Sequence, residues 1–128
     1  MISKVRGTME ITSKDRAWYA LALKVASESM CADMHGCVLV RKGTVIALAT
    51  NRDTTHPASN IYLKDSLHAE QRAISKGVRT YQAKLYSARY HTNPQSAPCQ
   101  MCDMMIADAG ISRVIYHDGA KLVKVRVG

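Results

Sequence analysis

At 128 residues and 47% hydrophobic content, the chain is long enough for one domain (1–128) with a real core, burying roughly two-thirds of its unfolded surface. That composition excludes a disordered chain, no apolar run approaches the ~20 residues of a membrane span, and no h-region or cleavage site follows the basic start at Met1–Arg6. The formal net charge of +8 points to an anionic partner (nucleotide phosphate, nucleic acid or an acidic protein), and four cysteines with two in a C-x-x-C pair favour a reducing cytoplasm over a disulfide framework.

In chain order, helical spacing of Trp18, Leu21 and Val25 predicts a first helix from Ser13 or Lys14 to about Ser29, with Ser13 as its N-cap. Val38–Val40 and Val45–Leu48, joined through Arg41-Lys42-Gly43-Thr44, form a predicted hairpin. The connection from Thr50 to about Asp65 is long enough to serve as a lid or binding segment. Asp65 or Ser66 is expected to cap a second helix that runs to about Lys76 and stops at Gly77. Leu85–Arg89 is a third strand. Pro98 opens a third helix that Gly110 ends, and Ile111–Tyr116 and Leu122–Val127 are the last two strands, separated by the Asp118-Gly119 turn. The order α-β-β-α-β-α-β-β implies parallel pairing across the two β-α-β crossovers and an antiparallel last pair, since too few residues separate those strands for a crossover. In the last strand Val123, Val125 and Val127 share one face, leaving Lys124 and Arg126 as a solvated face that protects a sheet edge.

Two short stretches carry the chemistry. Ser66-Leu67-His68-Ala69-Glu70 offers an imidazole and a carboxylate two residues apart, and Pro98-Cys99-Gln100-Met101-Cys102 offers two thiols at metal-site spacing. His68, Cys99 and Cys102 make three protein ligands, the number that leaves a tetrahedral zinc one open position. Positions i and i+2 lie about 200° apart on a helix, so His68 and Glu70 can converge only where a helix begins. H-x-E followed by P-C-x-x-C is the signature of zinc-dependent nucleobase deaminases, in which the glutamate moves protons and does not bind the metal.

From the first helix to Tyr116 the chain resembles the cytidine/deoxycytidylate deaminase superfamily, and His68-Ala69-Glu70 resembles its deoxycytidylate branch, since free-cytidine deaminases generally place Cys at the His position. The resemblance implies an α/β, three-layer cytidine-deaminase-like fold: a mixed five-stranded sheet with helices on both faces, the last strand antiparallel. It implies Zn2+ held by His68, Cys99 and Cys102, Glu70 as proton shuttle, Asn51 against the sugar and the Ala69 backbone against the base. Three features depart from the family pattern: Ala49 where Gly is common, Ala97 where several relatives have Glu, and a short final hairpin typical of the nucleoside branch.

The function expected is hydrolytic deamination of a cytosine base on a free nucleotide, deoxycytidylate preferred. A deaminase of cytosine or adenine in single-stranded DNA or RNA is the alternative enzyme. A structural-zinc module that binds nucleic acid is the alternative of another class, and it would need a fourth ligand from Cys31, His35 or Cys37. Those three residues are otherwise core packing or a second metal site. Arg52, Lys64 and Arg89 are candidates for a substrate phosphate, and His56 and His91 lie on loops that could border the pocket. Met101, Met104 and Met105 are read as core or subunit-interface packing in a homo-oligomer. One Trp, no Phe and scattered tyrosines make a nucleic-acid partner the less favoured one, and no membrane partner is expected.

Overall fold

The computed structural model describes residues 9–54 and 65–127. Its first helix, α1 (Ser13–Ala26), is capped by Thr12, whose Oγ1 accepts the Asp15 N–H at 3.1 Å while the Asp15 carboxylate accepts the Thr12 N–H at 3.0 Å. This reciprocal box starts the helix one residue earlier than a Ser13 cap would, and the helix ends three residues short of Ser29. Asp15, Tyr19, Ala22, Val25 and Ala26 form its buried stripe.

β1 (His35–Arg41) and β2 (Thr44–Thr50) form the predicted hairpin, with Lys42 and Gly43 at φ 51° and 74°, the positive angles of a two-residue turn that follows strand twist. The chain then forms β3 (Arg52–Thr54) and β4 (Asp65–Leu67), α2 (Ala69–Ile74), β5 (Lys84–Arg89), α3 (Gln100–Asp108), β6 (Arg113–His117) and β7 (Leu122–Arg126). Five strands make one sheet in the order β2-β1-β5-β6-β7, and β3 and β4 pair antiparallel as a separate ribbon. Asp65 and Ser66 therefore belong to a strand, and the cap of α2 is His68.

Parallel pairing holds across the second crossover, β5 to β6, but not the first. β1 lies between β2 and β5 and is antiparallel to both, so β2 and β5 run the same way without touching. The last pair, β6 and β7, is antiparallel as expected.

Helices cover both faces of this sheet. Cys37, Leu39, Leu85, Val114, Val123 and Val125 pack with Ala69, Ala73 and Ile106 of α2 and α3, whereas Val38, Val40, Tyr86, Ala88 and Ile115 pack under α1. The approach of α1 is close: a Cβ on Gly36 would run into the Ala26 backbone nitrogen and the Ala22 carbonyl oxygen. Lys124, on the α1 side of β7, is consequently buried and not solvated. Its Nζ lies 2.9 Å from Asp15 Oδ2, and the Tyr86 hydroxyl donates to Asp15 Oδ1 at 2.7 Å. Arg126 does reach solvent, as the edge-strand reading expected. Among the described residues no helix is long and apolar enough to cross a membrane.

Candidate active site

The sheet and its second helical layer bring the two motifs together. His68 sits at the N-cap of α2, its N–H donated to the Gln71 side-chain oxygen at 2.9 Å, and Glu70 follows in the first turn. The convergence that the i, i+2 spacing demanded is thus met at a helix start. Cys99 is the N-cap of α3, where its sulfur accepts the Cys102 N–H at 3.5 Å, so the third helix begins after Pro98 and not at it. Behind Cys99, a buried pair of serines fastens the incoming loop to β5: Ser96 Oγ donates to the Ser87 carbonyl at 2.8 Å, and Ser87 Oγ donates to the Ser96 carbonyl at 2.9 Å.

His68 Nδ1 lies 3.4 Å from Cys99 Sγ and 3.3 Å from Cys102 Sγ, and the three donor atoms all fall within 4.8 Å of one another. Tetrahedral zinc with ordinary Zn–N and Zn–S bonds sets its nitrogen and sulfur ligands about 3.6 Å apart, so this donor set fits zinc with a small adjustment. Two thiolates would also cancel the formal charge of the metal. Burial, with the Glu70 carboxylate next, pushes the Cys102 thiol far up, and a bound cation acts in the opposite direction.

Glu70, 5% exposed, lines a cleft of about 370 Å³ together with His68, Ala69, Cys99, Asn51, Ser96 and the Cys31–His35 segment. Asn51 is buried, and its carboxamide is tied to that segment. Asn51 Oδ1 accepts from Ser29 Oγ at 2.6 Å and from the His35 N–H at 3.0 Å, while its Nδ2 donates to the Asp33 carbonyl at 2.6 Å. Arg52 is exposed and lines an adjoining groove that shares Cys31 and Asn51 with the cleft. Arg89 is engaged by the cleft-lining Asp33, Nε to Oδ1 at 2.7 Å, and His35 Nε2 meets the other Asp33 oxygen at 3.0 Å. Lys64 and His56 lie outside the described residues, and His91 does not line the cleft.

Cys31, His35 and Cys37 do not gather as a second metal cluster among the described residues, and none of them joins the His68 group. Cys37 is core, its thiol pushed up by complete burial and then by Glu70 and Cys102. Met101 and Met104 are largely exposed on α3 and so are not core. Sequence reading missed Ser29, Asp33 and Ser96. Short polar residues in irregular backbone carry no periodic signal, and only their partners reveal them.

The family model describing the cytidine and deoxycytidylate deaminase zinc-binding region matches residues 12–118. The chain belongs to this family. A curated member, the deoxycytidylate deaminase of Saccharomyces cerevisiae, is 29% identical over 129 aligned residues, covering 86% of this chain and 39% of the yeast protein. The chain thus spans well under half the length of that relative. Among solved structures, the dCMP deaminase of cyanophage S-TIM5 in apo form is 26% identical, with a TM-score of 0.60 and coverage of 83% of this chain and 82% of that one. A cytidine deaminase from Burkholderia pseudomallei is similar in fold, with a TM-score of 0.67 at 16% identity over 88% and 92% of the two chains. Both family branches therefore share this architecture, and the zinc-binding region includes all three donors.

Proposed function

We propose that the chain is a zinc-dependent hydrolytic deaminase of a cytosine base on a free nucleotide, converting deoxycytidylate to deoxyuridylate in preference to other substrates. The observation that carries this reading is the convergence of His68 Nδ1, Cys99 Sγ and Cys102 Sγ beside a buried glutamate on the wall of one cleft. Zinc held by His68, Cys99 and Cys102 would polarise a water molecule and lower its pKa towards neutrality. Glu70 takes one proton from the attacking water and delivers it to the ring nitrogen as the C–O bond forms, then takes the remaining proton from the added hydroxyl and passes it to the amine as the C–N bond breaks. Water is consumed and ammonia released, with Glu70 regenerated. Its burial in the first turn of α2 holds the carboxylate beside the donors and limits exchange with bulk water.

Preference for a monophosphate is supported by the +8 charge and by the similarity to enzymes named deoxycytidylate or dCMP deaminases. Of the cations near the cleft, Arg89 is engaged by Asp33 and Arg72 by Thr50, which leaves exposed Arg52 in the adjoining groove as our candidate to meet a phosphate. Exposed Met101 and Met104 on α3 suit contact between subunits of a homo-oligomer, and four free thiols suit a reducing cytoplasm.

The test is ammonia release from the zinc-loaded protein with deoxycytidine, cytidine, their monophosphates and cytosine-containing oligonucleotides, at 50 and 200 mM salt. Deoxycytidylate should give the highest kcat/KM, falling only gently with salt. Turnover of an oligonucleotide and of no mononucleotide, with a loss of roughly 10³-fold or more across that salt range, would replace this substrate with a nucleic acid.

A further inference from the structure

The Asn51 carboxamide has four hydrogen-bonding positions, two on the oxygen and two on the nitrogen. Three are committed inside the protein. The oxygen accepts from Ser29 Oγ and from the His35 N–H, and one nitrogen proton goes to the Asp33 carbonyl. Ser29 is itself buried, 7% exposed, and its Oγ also receives the Cys31 N–H at 3.2 Å. Its hydroxyl donates to Asn51 Oδ1 at 2.6 Å. A carboxamide rotated by 180° would set its NH₂ against the His35 N–H and its oxygen against the Asp33 carbonyl, donor on donor and acceptor on acceptor. The fourth position, a second N–H on Nδ2, is the one left for the cleft that Asn51 lines.

We infer that Ser29 is a positioning residue that, together with the His35 N–H and the Asp33 carbonyl, holds the Asn51 carboxamide so that the cleft meets an N–H donor and never a carbonyl oxygen, favouring ligands that bring an acceptor to that point. This rests on the proposed function for the identity of the ligand, a nucleotide whose sugar oxygens are acceptors. The orientation itself does not. Ser29 makes no contact with the cleft, so it acts through Asn51 and not on substrate.

Two measurements on the zinc-loaded protein test the inference. In the first, side-chain amide exchange of Asn51 is followed by nitrogen-edited NMR in the wild type, Ser29→Ala and Ser29→Thr. Loss of the hydroxyl should speed exchange at least several-fold in Ser29→Ala, and Thr, which keeps the hydroxyl, should restore slow exchange. In the second, KM and kcat are measured for Ser29→Ala, Asn51→Ala and the double variant. Ser29→Ala should raise KM about 3- to 10-fold, the worth of one hydrogen bond, with kcat changed much less. In the Asn51→Ala background the same change should have no further effect on KM. Ser29→Ala should also narrow the preference for the substrate over an analogue lacking one sugar hydroxyl. Unchanged amide exchange in Ser29→Ala, or additive KM effects in the double variant, overturns the inference. If the wild type releases ammonia from no cytosine nucleotide, the proposed function fails, and the exchange measurement still decides whether Ser29 holds Asn51.

Discussion

Replacing Lys124 with Met isolates the buried charge cluster beneath α1. Asp15 is fully buried, and burial alone would raise its pKa. Hydrogen bonds from Lys124, Tyr86 and Thr12 outweigh that effect and hold it at about 2, against an ordinary value of 3.8. At 1.36 kcal/mol per unit, the difference is worth roughly 2 kcal/mol of folding stability. Because the folded pKa is the lower one, this stability is fully present above pH 3.8 and disappears as pH falls through 2. Lys124→Met removes the partner cation and leaves a buried carboxylate with only a phenol and an amide, a change that typically costs ~3–5 kcal/mol. The Asp15 pKa should then rise above its ordinary value, and the variant should recover part of its deficit on acidification. Urea unfolding of both proteins at pH 7.0 and pH 4.5, with zinc held constant, measures this. We expect a deficit near 3 kcal/mol or more at pH 7.0 and a smaller one at pH 4.5. A deficit under ~1 kcal/mol, or one of equal size at both pH values, would refute the reasoning.

Other substitutions probe the site and the packing behind it. Glu70→Gln should keep fold and zinc stoichiometry while turnover falls by at least ~10²–10⁴, and near-normal turnover would assign proton transfer to another group. Gly36→Ala should cost ~1–3 kcal/mol by thermal or urea unfolding, because its Cβ meets α1 backbone that cannot step aside; a variant as stable as wild type would show that α1 can shift at no cost.

The two half-motifs that carry His68, Glu70, Cys99 and Cys102, and the final hairpin, were legible in the sequence, because each half-motif and the hairpin turn lie within a few residues of chain. The meeting of the half-motifs across 31 residues is the work of the fold. His68 and Glu70 had to meet at a helix start by periodicity alone, and the interval between Tyr116 and Leu122 is too short for anything but an antiparallel return. What escaped were relations between distant segments. Nothing local to β1 or β5 announces that they are neighbours, and insertion of β1 is what cancelled the first parallel pair. Alternation in Leu122–Arg126 told which residues share a face, but whether a helix covers the other face depends on α1, more than a hundred residues earlier. Lys124 was misassigned for that reason, and its partner Asp15 was invisible as a partner. The cap of α2 escaped because Asp65 and Ser66, good capping residues in isolation, are drawn into pairing with Asp53 and Thr54.

The β3–β4 ribbon has a consequence for the cleft beside it. Arg52 pairs with Leu67, so the residue after Asn51 is held against the residue before His68. Asn51 lines the cleft and His68 is one of the three clustered donors, so a single short ribbon fixes the spacing between a cleft wall and the donor group. The two positions are coupled through paired backbone and not only through side-chain packing.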